Sequence, residues 1–227
     1  MSTCIISATP VLSLDGFERH PAAARRALSG LHALAASLPP RAGGTRLRGQ
    51  AALPDLLQRG AVHAIAAAYL GSAARPVRAI MFDKTPGANW SLGWHQDRTV
   101  AVRTRREVDG FGPWTVKQGI LHVAPPFAVI EAMVTLRIHL DDVPADNAPL
   151  LVAPGSRRLG IVAEHAIAAT VARCGTATCL ADEGDVWAYA TPIIHASAAS
   201  ARGAHRRVLQ VDYAASELPG GLTWLGV

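Results

Sequence analysis

The chain has 227 residues, half of them hydrophobic and 17% charged, a composition that suits one globular domain with a buried core. Its formal charge of +5 comes almost wholly from arginines spread along the chain, with lysine only at Lys84 and Lys117. Nucleic-acid binding would require a basic stripe with interleaved aromatic residues, and a membrane span would require about eighteen consecutive apolar residues. The sequence has neither, so we expect no nucleic-acid or membrane partner and favour an anionic small molecule.

The first ten residues and the cysteines indicate the compartment. Met1 to Pro10 has no basic stretch ahead of an apolar one, so it does not resemble a signal peptide. Cys4, Cys174 and Cys179 are too few and too unevenly spaced for a disulfide framework or a zinc site. We therefore expect reduced thiols and a cytoplasmic protein.

Residues 1–75 are predicted to form a mostly helical buttress. Leu28, Leu31 and Leu34 recur at helical spacing, and Pro39 ends that pattern. Gly71 is a plausible C-terminal cap for a second helix. The predicted elements are an extended arm over residues 1–15, a helix over 18–38, a loop over 41–50 and a helix over 53–70.

A strand over residues 94–102 carries the first candidate ligands. A strand over 77–82 and a turn over 83–89 precede it. His95 and Asp97 lie two residues apart, so on a strand their side chains point to the same face, as two metal ligands would. By itself a His-x-Asp step is weak evidence, and the alternative for His95 is a hydrogen-bonded histidine at a strand edge.

Residues 103–126 are predicted to be a long irregular passage. A passage of this length inside a compact domain is usually functional, and it directly follows the candidate ligands. We interpret it as a lid or a wall of a substrate pocket. Trp114, Lys117 and His122 are its candidate substrate-contacting residues, with a purely structural role as the alternative for each.

A strand over residues 131–140 alternates apolar and polar residues. Its polar face carries Arg137 and His139, and in a closed barrel that face either meets solvent or lines the pocket. If it lines the pocket, Arg137 is a candidate partner for a substrate carboxylate. A short helix is predicted over residues 161–172.

The last candidate residues belong to two predicted strands, residues 184–194 leading into His195 and residues 208–213. We expect these strands to be neighbours, with Arg206 at the start of the second. His195 would complete a set of two histidines and one carboxylate, which leaves one face of an octahedral iron(II) open for a co-substrate and dioxygen. An arginine near that face can bind a carboxylate through two hydrogen bonds. The tail is predicted to pack back through Leu222, Trp224 and Leu225.

Taken as a set, these motifs resemble those of the phytanoyl-CoA dioxygenase family, the non-haem iron(II) and 2-oxoglutarate-dependent oxygenases. The resemblance covers about two-thirds of the chain, roughly residues 75 to 225. The matching segments are Trp94-His95-Gln96-Asp97, the run from Asn147 to Ser156, Gly184-Asp185, His195-x-Ser197 and Arg206.

This resemblance implies roles for individual residues. It makes His95, Asp97 and His195 the iron ligands. Arg206 matches the arginine that binds the distal carboxylate of 2-oxoglutarate, and Ser197 matches a hydroxyl that assists it. Gln96 takes the position of a polar residue facing the co-substrate.

Two positions refine the comparison. Relatives that halogenate carry a small residue where this chain has Asp97, so the resemblance implies hydroxylation and disfavours halogenation. The family turn commonly reads Pro-Gly-Ser-His, whereas Arg157 follows Ser156 here. That histidine is not a metal ligand, so the departure affects only contacts of the loop.

The short strands with glycine and proline turns indicate a mainly β protein with flanking helices, with a double-stranded β-helix (jelly roll, cupin-like) core. We expect one domain over residues 1–227, with the helical buttress at 1–75 and the jelly roll at 76–227. The implied activity hydroxylates a C–H bond of a small or medium-sized molecule with decarboxylation of 2-oxoglutarate to succinate. The alternatives are a metal-binding barrel without oxygenase activity and a catalytically silent binding protein. The substrate and the oligomeric state stay open.

Overall fold

The computed structural model describes residue 12 and residues 14–39, 41–203 and 205–227. Most of the arm predicted over residues 1–15 lies outside these ranges. The helices are α1 (Leu28–Ala36), α2 (Leu53–Leu57), α3 (Gly60–Leu70), α4 (Phe127–Glu131) and α5 (Ile167–Cys174). The strands are β1 (Phe17–His20), β2 (Thr45–Leu47), β3 (Arg75–Lys84), β4 (Leu92–His95), β5 (Val100–Val102), β6 (Trp114–Lys117), β7 (Ile120–Val123), β8 (Val134–His139), β9 (Leu150–Val152), β10 (Ala177–Cys179), β11 (Val186–Ala190), β12 (His195–Ser197) and β13 (Arg206–Ala214).

Two antiparallel sheets face each other and form the jelly roll. The larger has the order β1-β11-β8-β13-β3-β2, and the smaller has the order β10-β9-β12-β4. They meet through an apolar cluster in which Tyr189 of β11 packs with Leu150 and Val152 of β9. A third sheet, β5-β7-β6, extends the structure beside them. The predicted double-stranded β-helix is confirmed.

The three N-terminal helices cover the outer face of the larger sheet. Leu31 of α1, Leu57 of α2 and Ile65 of α3 pack in one cluster with Leu136 of β8 and Val211 of β13. These side chains are at most 8% exposed, so this layer supplies the main hydrophobic core. The division into a helical buttress over residues 1–75 and a jelly roll stays a prediction.

The inner face of the larger sheet is polar. Successive strand residues point to opposite faces, so one face of β3 packs against the helices and the other faces the interior of the barrel. On β13, Leu209 and Val211 belong to the helix-covered core, while Gln210 between them points inward. The inward residues of β3 and the neighbouring strands that line the barrel cavity are Arg46, Arg78, Ile80, Phe82, Lys84, Arg137, Arg206 and Gln210.

The helix predicted over residues 18–38 was wrong in its first half. Residues 17–20 form β1, which pairs antiparallel with β11, and α1 begins only at Leu28 after a short 3-10 turn. Arg19 forms ion pairs with Asp182 and Asp185, which hold this strand on the edge of the sheet. Pairing with a distant strand therefore overrides the local pattern.

Residues 41–70 also differ from the prediction. The predicted loop contains β2, which pairs with β3, so the region up to residue 75 contributes two strands as well as helices. The predicted second helix is divided into α2 and α3 at Gly60, whose φ of +73° cannot continue an α-helix. Gly71 does follow the last residue of α3, and its N–H donates to the Ala67 carbonyl at 2.8 Å.

The irregular passage predicted over residues 103–126 contains a hairpin. Strands β6 and β7 pair antiparallel, with Lys117 opposite Ile120. Gln118 and Gly119 between them have φ values of +53° and +73°, as the central residues of a two-residue hairpin turn require. The turn of the hairpin reaches the cavity, so this part of the prediction, a wall of the pocket, agrees with the structure.

The strands carrying His195 and Arg206 are not neighbours. The chain leaves the larger sheet after β11, at Thr191 and Pro192, and β12 joins the smaller sheet between β9 and β4. Proline has no N–H for a sheet ladder, which suits a change of sheet at this point. His195 and Arg206 therefore approach each other across the barrel from facing sheets.

Three smaller expectations can be compared with the described residues. No helix among them is long and apolar enough to cross a membrane. Cys174 and Cys179 are free thiols. In the tail, Leu222, Trp224 and Leu225 are buried, with Trp224 packed in the cluster around β5 and β7, as predicted.

Candidate metal and co-substrate site

A cavity of about 680 Å³ lies between the two sheets of the jelly roll. This volume lies within the usual range for pockets that hold a small molecule. Its walls come from β2, β3, β4, β6, β8, β12 and β13, and from the segment around α5. Of the ten candidate residues from the sequence, all except Trp114 and His122 line this cavity.

His95 and His195 are in direct contact in the cavity wall. Strands β4 and β12 pair with these residues opposite each other, and their ring centroids are 4.3 Å apart. The Nδ1 of His95 lies 2.8 Å from the Gly93 carbonyl, and that of His195 lies 3.0 Å from the Ile193 carbonyl. Since a carbonyl only accepts, each Nδ1 carries the proton and each Nε2 is left as a metal-binding lone pair.

Burial keeps His195 in the neutral form that binds metal. Its side chain is deeply buried, and this burial together with the neighbouring His95 lowers its pKa to about 4. Neutral imidazole is the metal-binding form, so His195 is available as a ligand throughout the physiological pH range.

Asp97 occupies the same wall and is ionised. Burial would raise the pKa of its carboxyl group, but the charge of Arg78 outweighs burial and lowers the pKa to about 2. Arg78 donates from Nη2 to Asp97 Oδ2 at 3.3 Å and from Nε to Asp212 Oδ2 at 2.5 Å. Arg78 thus fixes one oxygen of the Asp97 carboxylate.

The side-chain types of His95, Asp97 and His195 are those that bind iron(II), but their donor atoms do not converge on one point. Across the described ranges, no three His, Cys, Asp or Glu side chains converge closely enough to hold an ion. The histidines present two free Nε2 atoms, and Asp97 supplies a carboxylate beside them, which is the donor set of a facial triad. The residues therefore fit the metal by chemistry, with Asp97 engaged by Arg78 in this arrangement.

Arg206 lines the cavity at the start of β13, in the larger sheet, and is only 1% exposed. Its Nη2 donates to the Ala148 carbonyl at 2.8 Å, while its buried Nε has no acceptor among the described residues. Burial and the charge of Arg137 lower its pKa to about 9. A buried arginine with an unused donor is suited to bind a carboxylate.

Lys84 is a site residue that the sequence reasoning missed. It stands opposite Arg206 in the pairing of β3 with β13, and its Nζ donates to Ser197 Oγ at 3.0 Å and to the Ala198 carbonyl. Burial, followed by the charges of Arg206 and Arg137, lowers its pKa to about 7. The predicted strand over 77–82 ends before Lys84, whereas β3 continues to Lys84 and keeps the two-residue alternation that points it into the barrel.

Ser197 lines the cavity beside Lys84, and its predicted contact with the co-substrate stays a prediction. Its hydroxyl accepts from Lys84 and donates to the Ala148 carbonyl at 3.2 Å, the same oxygen that Arg206 contacts. Ser197 and Arg206 are therefore neighbours although they come from facing sheets.

Arg137 lines the same end of the cavity as Arg206. Its guanidinium lies 5.2 Å from the centroid of the Phe82 ring, and its buried Nε has no acceptor within the described chain. Of the two alternatives for the polar face of β8, pocket or solvent, the structure has the pocket. Since the charge of Arg137 lowers the pKa values of Arg206 and Lys84, these three cations lie in the same part of the cavity.

Gln96 has its side-chain amide fully used by the backbone. Its Nε2 donates to the carbonyls of Gly160 and Pro192, and its Oε1 accepts from the Val162 N–H. The residue joins the metal strand to the segments before α5 and before β12. It thereby positions His95 and Asp97. Both ends of its amide are already hydrogen-bonded, so its contact with the co-substrate stays a prediction.

The three candidate residues from the β6–β7 hairpin lie in different surroundings. Lys117 lines the cavity, and its Nζ donates to Thr99 Oγ1 at 3.3 Å. His122 is buried behind it, with Nδ1 donating to the Ile120 carbonyl at 2.9 Å. Trp114 points to the other face, where it packs in the cluster around β5 and β7 beneath Arg105. Only Lys117 is placed to touch a substrate.

Arg157, which replaces the histidine of the family turn, faces away from the cavity. It donates to the Leu12 carbonyl at 3.2 Å, and its side chain packs over Gly16. Ser156 before it accepts from the Ile194 N–H at 2.9 Å. The turn supports the segment leading to His195 without contacting the candidate ligands.

The model of the phytanoyl-CoA dioxygenase family (PhyH) matches residues 44–208. The chain belongs to this family. Its cofactors are accordingly iron(II), with 2-oxoglutarate and dioxygen as co-substrates, and it is related to non-haem iron, 2-oxoglutarate-dependent enzymes. A comparison with functionally curated proteins finds no match.

Several solved structures share the fold. AviO1 from Streptomyces viridochromogenes Tue57 is 23% identical, with a TM-score of 0.58 and 91% of each chain covered. EctD from S. alaskensis, with 2-oxoglutarate and 5-hydroxyectoine, is 16% identical with a TM-score of 0.67, covering 96% of this chain and 78% of that one. HygX from Streptomyces hygroscopicus, with nickel, 2-oxoglutarate and hygromycin B, is 13% identical with a TM-score of 0.60, covering 89% and 84%. The TM-scores of 0.58, 0.67 and 0.60 show that these proteins share the fold of this chain.

Proposed function

We propose that this protein is an iron(II)- and 2-oxoglutarate-dependent hydroxylase of a small or medium-sized molecule. His95, Asp97 and His195 would hold the iron, and Arg206 with Ser197 would bind the distal carboxylate of 2-oxoglutarate. One observation carries the proposal. The same cavity contains a histidine pair with free Nε2 atoms and a buried arginine with an unused Nε donor.

The residues around the site would position the co-substrate. When bound, the iron and 2-oxoglutarate supply the oxidising chemistry, with loss of carbon dioxide and formation of succinate. Arg206 offers its Nε to one carboxylate, and Ser197 and Lys84 add a hydroxyl and a second cation beside it. Because Arg206 is almost fully buried, its interaction with the carboxylate is little screened by water.

The remaining residues would hold the metal ligands and exclude water. Backbone carbonyls fix the ring orientations of both histidines, which removes the cost of ordering them when metal binds. Gln96 ties the metal strand to two further segments. Trp90 and Trp94 line the cavity beside these residues and provide an apolar wall against a substrate.

Hydroxylation is favoured over halogenation because of Asp97. A carboxylate at this position occupies a coordination site that a small residue would leave open to chloride. Its pKa of about 2 keeps it ionised at neutral pH. Replacing Asp97 with alanine is therefore expected to remove hydroxylation.

The deciding experiment is an anaerobic titration of the metal-free protein with iron(II) and 2-oxoglutarate, followed by visible absorption. We expect the charge-transfer band of the iron chelate to appear. The band should weaken in Arg206→Ala, because the distal carboxylate loses its partner, and vanish in His95→Ala. Tight metal binding without any band would contradict the proposal.

The two alternatives make different predictions. A metal-binding barrel without oxygenase activity predicts metal retention with no effect of Arg206 on any ligand. A silent binding protein with a closed pocket predicts no space for substrate, and the open cavity of about 680 Å³ speaks against it. The titration with Arg206→Ala separates the first alternative from the proposal.

A further inference from the structure

The cavity concentrates positive charge. Seven arginine and lysine side chains line it, whereas Asp97 and Glu164 are the only carboxylates among the lining residues, and Asp212 pairs with Arg78 just behind the wall. The cavity therefore has four unmatched cations. The lining cations are Arg46, Arg78, Lys84, Arg98, Lys117, Arg137 and Arg206.

Five of these cations fall into two groups at different levels of β3. Lys84 lies opposite Arg206 and donates to Ser197, and the charge of Arg137 acts on both cations, so these three form the co-substrate end. Arg46 lies opposite Ile80, four residues before Lys84 on β3, and its charge acts on Lys117. We call this second group the distal basic pair.

Two elements bring the distal basic pair together. Arg46 lies on β2 opposite Ile80 of β3, and Lys117 ends β6. The hairpin turn is bonded to β2, because Gln118 Oε1 accepts from the Arg46 N–H at 3.0 Å and Gln118 Nε2 donates to the Gly44 carbonyl at 2.8 Å. The Gln118 side chain, bonded to the backbone of β2, thus fixes the position of the pair.

Neither side chain of the pair has an acidic partner. The Arg46 Nε is buried without an acceptor in the described ranges, and its guanidinium forms no ion pair there. Lys117 donates only to Thr99 Oγ1 at 3.3 Å. Burial and the charges of Arg78 and Arg46 lower the pKa of Lys117, and burial and the charge of Arg78 lower that of Arg46. An anion between the two side chains would relieve this repulsion and satisfy the Arg46 donor.

We infer that the substrate carries an oxyanion, a carboxylate or a phosphate, which binds between Arg46 and Lys117. This inference rests on the proposed function, because it treats the co-substrate end as the site of 2-oxoglutarate. The distal basic pair lies on the Asp97 side of the cavity, away from Arg206. The anionic group would therefore anchor the substrate while the rest of it lies along Trp94 and the candidate ligands.

The test uses the full chain loaded with nickel(II) and saturating 2-oxoglutarate. Hexanoate, hexyl phosphate and neutral hexanamide are titrated by calorimetry, so that only the head group varies. We expect at least one anion to bind about tenfold or more tightly than hexanamide, and the stronger of the two identifies the type of oxyanion. Arg46→Gln and Lys117→Gln should each reduce this preference about fivefold or more and leave hexanamide unchanged.

Arg48→Gln is the matched control, because Arg48 is exposed, carries the same charge and lies two residues from Arg46. It should retain the preference of the wild type. Thermal unfolding of each variant verifies that the fold is intact. Equal binding of hexanamide, or an unchanged preference in both Gln variants, would overturn the inference.

Failure of this inference can be told from failure of the proposed function. The charge-transfer band with iron(II) and 2-oxoglutarate reports on the metal ligands and the co-substrate end, so it should persist in Arg46→Gln and Lys117→Gln. A normal band without anion preference would reject only the oxyanion. Absence of the band in the wild type would reject the proposed function.

Discussion

At the residue scale, we expect Lys84 to make the binding of 2-oxoglutarate dependent on pH. Its pKa is lowered to about 7 by burial and by Arg206 and Arg137. A protonated Lys84 attracts the dianion, and a neutral one does not, so we expect affinity to decrease as the pH rises from about 6 to about 8.5. Binding of 2-oxoglutarate to the nickel-loaded protein, measured by calorimetry across this range, tests the prediction.

Lys84→Arg is the control for this prediction, because a guanidinium stays charged over the whole range. Its affinity should be nearly independent of pH. If the wild type and Lys84→Arg show the same pH profile, the titrating group is not Lys84.

The Asp97 carboxylate should be required for metal retention as well as for turnover. We expect Asp97→Ala to abolish substrate-coupled decarboxylation of 2-oxoglutarate and to weaken nickel(II) binding about tenfold to a hundredfold, since one of three ligands is lost. Equilibrium dialysis with nickel(II) measures the second effect. Asp55→Ala removes an exposed carboxylate outside the cavity and should retain both properties; full activity of Asp97→Ala would reject its role as ligand.

The part of the candidate site that could be predicted from the sequence is the part marked by residue types and their spacing. The His-x-Asp step and the downstream His-x-Ser led to residues that do line one cavity. Lys84 and Arg46 were missed because their roles follow from strand register, which the sequence does not display. Gln96 was predicted to face the co-substrate, but its hydrogen bonds depend on loops more than sixty residues away along the chain.

At the element scale, the β6–β7 hairpin depends on Gln118 to reach the cavity. Two hydrogen bonds join this side chain to β2. Their loss in Gln118→Ala should cost about 1 kcal/mol, a typical value for partly exposed hydrogen bonds. We expect faster amide hydrogen exchange in residues 114–123 with little change elsewhere.

Gln58→Ala is the comparison for this variant, because Gln58 is exposed and follows α2 outside the cavity. It should leave exchange in the hairpin unchanged. Unaltered exchange in Gln118→Ala would mean that the hairpin is held by its own packing.

Elements with a local sequence pattern were predicted accurately, and elements that depend on pairing with a distant segment were not. The alternation in β8 and the helical pattern leading to Gly71 are local, and both elements were found near their predicted positions. β1 exists because it pairs with β11, nearly 170 residues later, and no local pattern encodes that pairing. The hairpin turn at Gln118-Gly119 was missed because glutamine is an unusual residue at positive φ.

At the scale of the whole molecule, buried neutral histidines should make the fold sensitive to acid. His139 is fully buried with neither ring nitrogen hydrogen-bonded within the described chain, and burial with nearby Arg206 and Arg137 lowers its pKa well below 6.5. Burial also lowers the pKa of His122 to about 4. Below pH 6.5 the unfolded state binds protons that the native state does not, so stability falls as the pH falls.

His139→Met is expected to reduce this acid sensitivity. It removes one group that the native state cannot protonate, and one proton accounts for at most about 1.4 kcal/mol per pH unit. The free energy of unfolding from urea titrations at pH 7.5 and pH 5 measures the difference. The exposed His165→Met should show the wild-type dependence, and an equal slope in His139→Met would exclude His139 as the cause.

The charge of the molecule is not distributed as the sequence suggested. The seven lining cations, the two lining carboxylates and Asp212 belong to the cavity and its wall. Removing them from the totals of 22 basic and 17 acidic residues leaves fifteen and fourteen. The outer surface is thus nearly neutral, and the excess positive charge is concentrated where small anions would bind.

The placement of both lysines in the cavity has a practical consequence for chemical labelling. Lys84 and Lys117 carry the only side-chain amines of the chain, so apart from the α-amino group every site for an amine-reactive reagent faces the pocket. At neutral pH Lys84 is partly unprotonated and therefore nucleophilic, whereas the arginines do not react. A small acylating reagent would thus label the cavity selectively. The increase in protein mass would give the number of acyl groups bound there, and a ligand in the cavity should lower that number.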